Sequence, residues 1–146
     1  MSDQSGNCIF CSIVAGRIPA SFVYRDALVS AFLDLHPINS GHLLVIPNRH
    51  SELVTEMTDA EAGAVFITAR KIVQALKSSE IKCEAANLVL SDGKTAGQEV
   101  AHSHLHVIPR FIGDGQRLGF KHSEAQSREQ LDRAAKEISA KLRGVP

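Results

Sequence analysis

Apolar residues recur along this chain with two different periods. From Thr58 to Lys77 the spacing is helical: Ala62, Val65, Phe66, Ala69, Ile72, Val73 and Leu76 return every three or four positions as one stripe. Thr58 with Glu61 three residues later forms the reciprocal cap that starts such a helix. Elsewhere the lengths and turn signals are those of strands. Residues 22–34 (FVYRDALVSAFLD) read as two strands around a tight Arg25-Asp26 turn, and residues 41–50 (GHLLVIPNRH) as a third. Pro47 ends that third strand, because it has no N–H for a ladder. ANLVLS (86–91) and HSHLHVIPR (102–110) read as two more strands bracketing the loop DGKTAGQ. Residues 9–14 (IFCSIV) suit a short helix ending at Gly16, with Pro19 opening a new segment. Ser127 caps a last amphipathic helix carrying Leu131, Ala134, Ala135, Ile138 and Leu142. Strands in runs with one long helix inserted predict an antiparallel α+β domain of about five strands, not a βαβ fold.

Composition narrows this picture. At 146 residues the chain is one domain's worth of sequence, long enough to close a core without disulfides, and it carries no repeats or low-complexity linkers. Lys+Arg and Asp+Glu both number 16, so no net field favours nucleic acid or an anionic membrane. No apolar run approaches the ~20 residues that span a bilayer. The N-terminal MSDQSGNC has neither the basic nor the apolar region of a signal peptide. Three cysteines are an odd number for a secreted disulfide framework. In a reducing cytosol Cys8-x-x-Cys11 reads as metal or redox chemistry, and Cys83 as an ordinary thiol. These features describe a neutral, cytoplasmic, globular domain.

Of the 7 histidines, three fall at alternate positions in HSHLHVIPR. In a strand, His102, His104 and His106 share one face while Ser103, Leu105 and Val107 take the other. That spacing suits a strand metal site. It equally suits chemistry, because an imidazole is largely neutral and nucleophilic at cytosolic pH. A solvated edge strand is the third reading, and spacing alone does not choose among them.

The surroundings of the triplet choose. It is preceded by Gly97-Gln98-Glu99-Val100-Ala101 and followed by Val107-Ile108-Pro109-Arg110, and about sixty residues upstream lies Asp34-Leu35-His36-Pro37-Ile38-Asn39-Ser40-Gly41-His42. This pairing closely resembles the histidine triad (HIT) family of nucleotide hydrolases and transferases, whose signature is His-x-His-x-His followed by two apolar residues. The resemblance runs from about Cys8 to Arg110; the extension 111–146 matches no motif. It implies a single HIT-fold domain, a purine nucleotide substrate and two-step transfer at the α-phosphate. His104 would be the nucleophile, with its other ring nitrogen held by the main-chain carbonyl of His102. His106 would face the phosphate or leaving group as acid and charge stabiliser, and His42 would complete the catalytic set. Asp34 would take the ribose hydroxyls. Ile9, Phe10, Ile13, Phe32 and Leu44 match the purine pocket, and Ser91 with Gly97, Gln98 and Glu99 the phosphate-side loop.

The resemblance further implies a structural zinc, held by Cys8 and Cys11 with His50 and His102, and a scheme that requires no catalytic metal. Family members pair as homodimers through the long helix and a strand, so 58–77 is the matching element here. Two departures bear on the substrate. Hint-type eukaryotic members carry asparagine at the position of Ser91 and serine at that of Glu99, and Pro109-Arg110 is more like Fhit-type and bacterial members. A carboxylate beside a phosphate is repulsive, so the Glu99 side chain is expected to turn away and leave only its N–H. The expected products include AMP, from adenosine phosphoramidates or dinucleoside polyphosphates. The rival readings are a non-catalytic purine-nucleotide-binding regulatory module and a zinc-handling protein.

Overall fold

The computed structural model describes residues 6–117 and 119–146. They form two compact units, one ending at Gln116 and one comprising Arg117–Pro146. The N-terminal stretch read as no signal peptide begins in residues 1–5, outside the described residues. Among those described, no helix is long and apolar enough to cross a membrane.

The first unit contains α1 (Ile9–Val14), β1 (Phe22–Arg25), β2 (Val29–Leu33), β3 (Leu43–Pro47), α2 (Asp59–Lys77), β4 (Ala85–Leu90) and β5 (Leu105–Arg110). The strands form one five-stranded sheet in the order β1-β2-β3-β5-β4, every neighbouring pair antiparallel. The expected α+β architecture is therefore the observed one. Sheet alternation divides the core in two. Val29 and Ala31 of β2, Leu43 and Val45 of β3, and Leu105 and Val107 of β5 meet Val65, Ala69, Ile72 and Leu76 of α2 on one face. On the other face Phe32, Leu44 and Ile46 meet Cys8, Phe10 and Ile13 of α1 and its cap. Burial of each large side chain of α2 stabilises by about 1.5–3 kcal/mol, which outweighs the few tenths that separate helix propensities.

Three sequence expectations shift. The β1–β2 turn has Ala27-Leu28 at its tip, two residues later than Arg25-Asp26, because Asp26 Oδ1 accepts the N–H groups of Leu28 and Val29, each at 2.8 Å. Ala62 and Phe66 leave the buried stripe: Phe66 is 60% exposed, and Thr68 is buried instead. The strand expected over 102–110 starts only at Leu105. Before it, the His102 N–H donates to the Val100 carbonyl at 2.8 Å and the Ser103 N–H to the Ser51 carbonyl at 2.6 Å, which takes the backbone out of the ladder.

The start of α2 is tied to the segment leaving β3. Thr58 Oγ1 accepts the Glu61 N–H, and Glu61 Oε2 accepts the Thr58 N–H. Arg49 grips the same carboxylate with Nε at 2.9 Å and Nη2 at 2.7 Å, and Nη2 also donates to the Glu56 carbonyl. His50, a candidate metal ligand, is the next residue along.

In the second unit, α3 (Arg128–Leu142) starts at Ser127, which makes a capping box with Gln130. Leu131, Ile138 and Leu142 lie on it as expected and are exposed.

The Arg49 guanidinium, hydrogen-bonded to Glu61, lowers the pKa of that carboxyl to about 2. A carboxyl depressed in the folded state contributes stability above its ordinary value of 4.5, and loses it as pH falls towards 2. Glu61→Gln keeps the cap but loses the ion pair, and should cost about 1–2 kcal/mol at neutral pH. Paired denaturant melts should show the difference from wild type shrinking between pH 4.5 and 2.

Candidate functional site

Two clusters of side chains lie on the α1 face of the sheet, joined by the triad segment. The first gathers Cys8, Cys11, His50 and His102, whose ligand atoms all lie within 4.8 Å of one another. Cys8 is the N-cap of α1 and Cys11 sits one turn on, so the helix turns both thiols the same way. His102 Nδ1 lies 3.5 Å from Cys8 Sγ and 3.6 Å from Cys11 Sγ, and His50 Nδ1 lies 3.3 Å from Cys11 Sγ. At the far side of its ring, His102 Nε2 donates to the Pro47 carbonyl at 2.8 Å. A carbonyl only accepts, so the proton is on Nε2 and the Nδ1 lone pair faces the thiols. Burial holds the His102 pKa down at about 4, against the Pro47 hydrogen bond, and so keeps the ring neutral.

The second cluster holds His104, His106, His42 and Asp34. His104 Nδ1 donates to the His102 carbonyl at 2.7 Å, which leaves Nε2 with a lone pair. The Ile38 N–H points into His42 Nδ1 at 3.0 Å. An amide only donates, so His42 carries its proton on Nε2 and gives it to His106 Nδ1 at 2.9 Å. His106 is then protonated on Nε2. Burial lowers the pKa of His106 to about 4, helped by His104 and His42 and opposed by Asp34. It lowers that of His42 too, again against Asp34. Asp34 Oδ2 lies 3.6 Å from His42 Nε2, and its Oδ1 accepts the His36 N–H at 2.8 Å. The His104 and His106 rings are 4.9 Å apart, one offering a lone pair and the other an N–H.

Both rings line a hollow of about 850 Å³. Its apolar lining includes Ile9, Phe10, Ile13, Phe32 and Leu44, and its polar lining Asp34, Ser91 and Glu99, with Gly97 beside them. Gly97 is left-handed at φ 93°, and a Cβ there would sit 3.9 Å from Ser91 Oγ. No lysine or arginine among the described residues lines it.

Most residues singled out in the sequence therefore converge, with Gln98 and His42 standing behind the wall of the hollow. Gln98 is not in the wall: its side chain accepts the Gly93 N–H and donates to the carbonyls of Glu52 and Val100. Its own N–H goes to the Gly93 carbonyl at 3.2 Å, so it shapes the loop. His42 is also outside the wall and 3% exposed, standing behind His106 and Asp34, which line it. Glu99 does line the hollow, and also a smaller one beside His50 and Glu52. Pro37 and Val100 of the wall were missed, although each adjoins a motif residue. Asn39 and Asp114, which hold the loop before His42, were missed because nothing local marks their contact across 75 residues.

A family model described as the HIT domain matches residues 15–113, starting after α1 and its two cysteines. A HIT-like protein of Methanocaldococcus jannaschii is 44% identical over 131 residues, spanning 90% of this chain and 98% of its own. The crystal structure of a histidine triad nucleotide-binding protein from Candida albicans superposes with a TM-score of 0.83 at 29% identity, covering 95% of this chain and 99% of that one. A zinc-bound histidine triad family protein from Mycobacterium smegmatis does so with a TM-score of 0.74 at 34% identity, covering 97% and 99%. On the triad geometry, the sheet order and these matches together, the chain belongs to the histidine triad family of nucleotide-binding hydrolases and transferases.

Proposed function

We propose that the protein cleaves purine nucleotides at the α-phosphate, through a nucleotidyl group carried on His104, and releases AMP. The observation that carries this reading is the opposed pair of ring nitrogens in one wall: a lone pair on His104 Nε2 beside an N–H on His106 Nε2. His104 Nε2 forms a bond to phosphorus while the bond to the leaving group breaks, and the leaving group takes the electron pair. Phosphorylation makes the His104 ring cationic, and the His102 carbonyl on its Nδ1–H steadies that charge. His106, kept neutral by burial, donates to a phosphate oxygen where charge develops; it acts as a hydrogen-bond donor more than as an acid. Water then attacks phosphorus, and the bond to His104 Nε2 breaks with its electron pair returning to the ring. The proton of the water passes to solvent, and the nucleoside monophosphate is freed. The apolar side chains lining the hollow suit a purine base, and Asp34 suits the ribose diol.

This reading is tested by rates on an adenosine 5′-phosphoramidate and on diadenosine polyphosphates, measured side by side. Wild type should release AMP from at least one, and His104→Ala should lose at least about 10³-fold while still binding AMP by calorimetry. Full activity in His104→Ala would leave a nucleotide-binding module in place of an enzyme.

The Cys8, Cys11, His50 and His102 donors fit a closed tetrahedral zinc site, with the Pro47 carbonyl fixing the His102 tautomer from behind. Zinc there would tie α1 to the end of β3 and the start of the triad, and its chemistry would be structural. Two thiol ligands suit a reducing, cytoplasmic compartment. A homodimer is supported by the free edge of β4, which exposes Leu88, and by Phe66 and Ile67 exposed on α2. Native mass spectrometry should find two chains carrying two zinc ions. Cys8→Ala should lose the metal and lower the melting temperature far more than the specific activity of the folded fraction. A metal-free monomer as stable as the purified protein would contradict both assignments.

A further inference from the structure

The proton on His106 is set two histidines away from the hollow, by one backbone amide. If the Ile38 N–H left His42 Nδ1, the His42 proton could move onto that nitrogen. His42 Nε2 would then accept from His106 Nδ1, and His106 would turn a lone pair to the hollow. One donor direction therefore decides whether His106 attracts or repels a phosphate oxygen. Asp34 Oδ2, 3.6 Å from His42 Nε2, also favours the first arrangement, so loss of the amide would give a mixture.

The loop carrying this amide is fastened by its neighbour. Asn39 Nδ2 donates to the Pro109 carbonyl at 2.8 Å and to Asp114 Oδ2 at 3.0 Å, and the Asn39 carbonyl accepts the His42 N–H at 3.0 Å. The ladder between β3 and β5 ends at Leu43 and Val107, so at Pro109 the Asn39 amide takes the place of the missing strand. Behind it, the Asp114 carboxylate, 5% exposed, is held by Arg110 through Nε at 2.6 Å and Nη2 at 3.1 Å. Arg110 Nη1 continues to Asn87 Oδ1 on β4 at 2.6 Å. On the other side of the turn, Gly41 has φ 88°, and a Cβ there would meet Ile81 Cγ2 at 2.9 Å. The turn is therefore fixed by Asn39 on one side and packed closely on the other.

We infer that Asn39, backed by Asp114 and Arg110, is a positioning group for the phosphate-facing histidines: it holds the Ile38 amide on His42 Nδ1 and so keeps the His106 N–H directed into the hollow. The consequence for turnover rests on the reaction proposed above, whereas the tautomer does not. The test uses the whole chain as purified, without chelator. Side-chain ¹⁵N shifts of the histidines report which nitrogen of His42 and His106 bears the proton, and turnover and AMP affinity are measured on the same samples. In wild type both rings should be protonated on Nε2. Asn39→Ala should give a mixture of tautomers at both and a kcat lower by about 10–100-fold, with AMP affinity changed far less. Arg110→Lys, which cannot reach Asp114 and Asn87 with one fork, should shift both readouts in the same direction by less, and serves if Asn39→Ala does not fold. Val65→Ala, a core truncation under α2, should lower the melting temperature and leave the tautomers as in wild type. Wild-type His106 protonated on Nδ1, or an Asn39→Ala protein with wild-type tautomers, would overturn the inference. A wild-type protein inactive on every nucleotide would overturn the proposed reaction alone, since the shifts are read without substrate.

Discussion

The two-residue alternation of β3 and β5 is the constraint on which the rest of the structure depends. Leu43, Val45, Leu105 and Val107 point to α2, while Leu44, Ile46 and His106 point the other way. A one-residue slip of β5 would put His106 under α2 and turn Leu105 and Val107 outward, and a slip of β3 would exchange Leu43 and Val45 for Leu44 and Ile46. The 19-residue helix seals one face with four buried apolar side chains, so the other face can be left partly uncovered. The six-residue α1 covers only part of it, and the uncovered part is the hollow. The division of the core into two clusters is also a division between stability and chemistry.

On that open face, main-chain groups decide what each imidazole can do. The carbonyls of Pro47 and His102 and the amide of Ile38 each meet one ring nitrogen, and a carbonyl or an amide has no choice of role. Three identical side chains in five residues become a thiol-facing lone pair, a hollow-facing lone pair and a hollow-facing N–H. Burial lowers the pKa values of His102, His106 and His42, which favours their neutral forms. Phe10 joins the two clusters. It lies between Cys8 and Cys11 in the chain, and its ring stands edge-on to His102 at 5.8 Å and to His104 at 5.2 Å. Whatever holds the two thiols in place also holds one wall against the His104 ring.

Much of this was legible in the sequence, for identifiable reasons. The helix at 58–77 carries its own cap and stripe, and the strands carry turn signals, so the α+β architecture follows from local information. Phe66 was misassigned because its spacing fits the stripe, whereas the angle between α2 and the sheet decides which edge of a stripe is buried. The strand start at Leu105 was invisible because Ser51, 52 residues away, takes the Ser103 N–H. The candidate site was legible where the motif is local, in His102, His104, His106 and Asp34. It was illegible where a residue acts by long-range bonding. Gln98 sits inside the motif yet spends its side chain on Gly93, Glu52 and Val100, and Asn39 reaches to Asp114.

The central claim is that the lone pair on His104 Nε2 attacks phosphorus, and a trapped intermediate tests it most directly. A phosphorus–nitrogen bond to imidazole survives alkali and breaks in acid, the reverse of an acyl phosphate. Protein quenched in alkali during turnover of an α-³²P-labelled nucleotide should carry the label on the peptide containing His104, stable in base and released in acid. Label on a hydroxyl or carboxylate side chain, or turnover of that nucleotide by His104→Ala at the wild-type rate, would contradict the account.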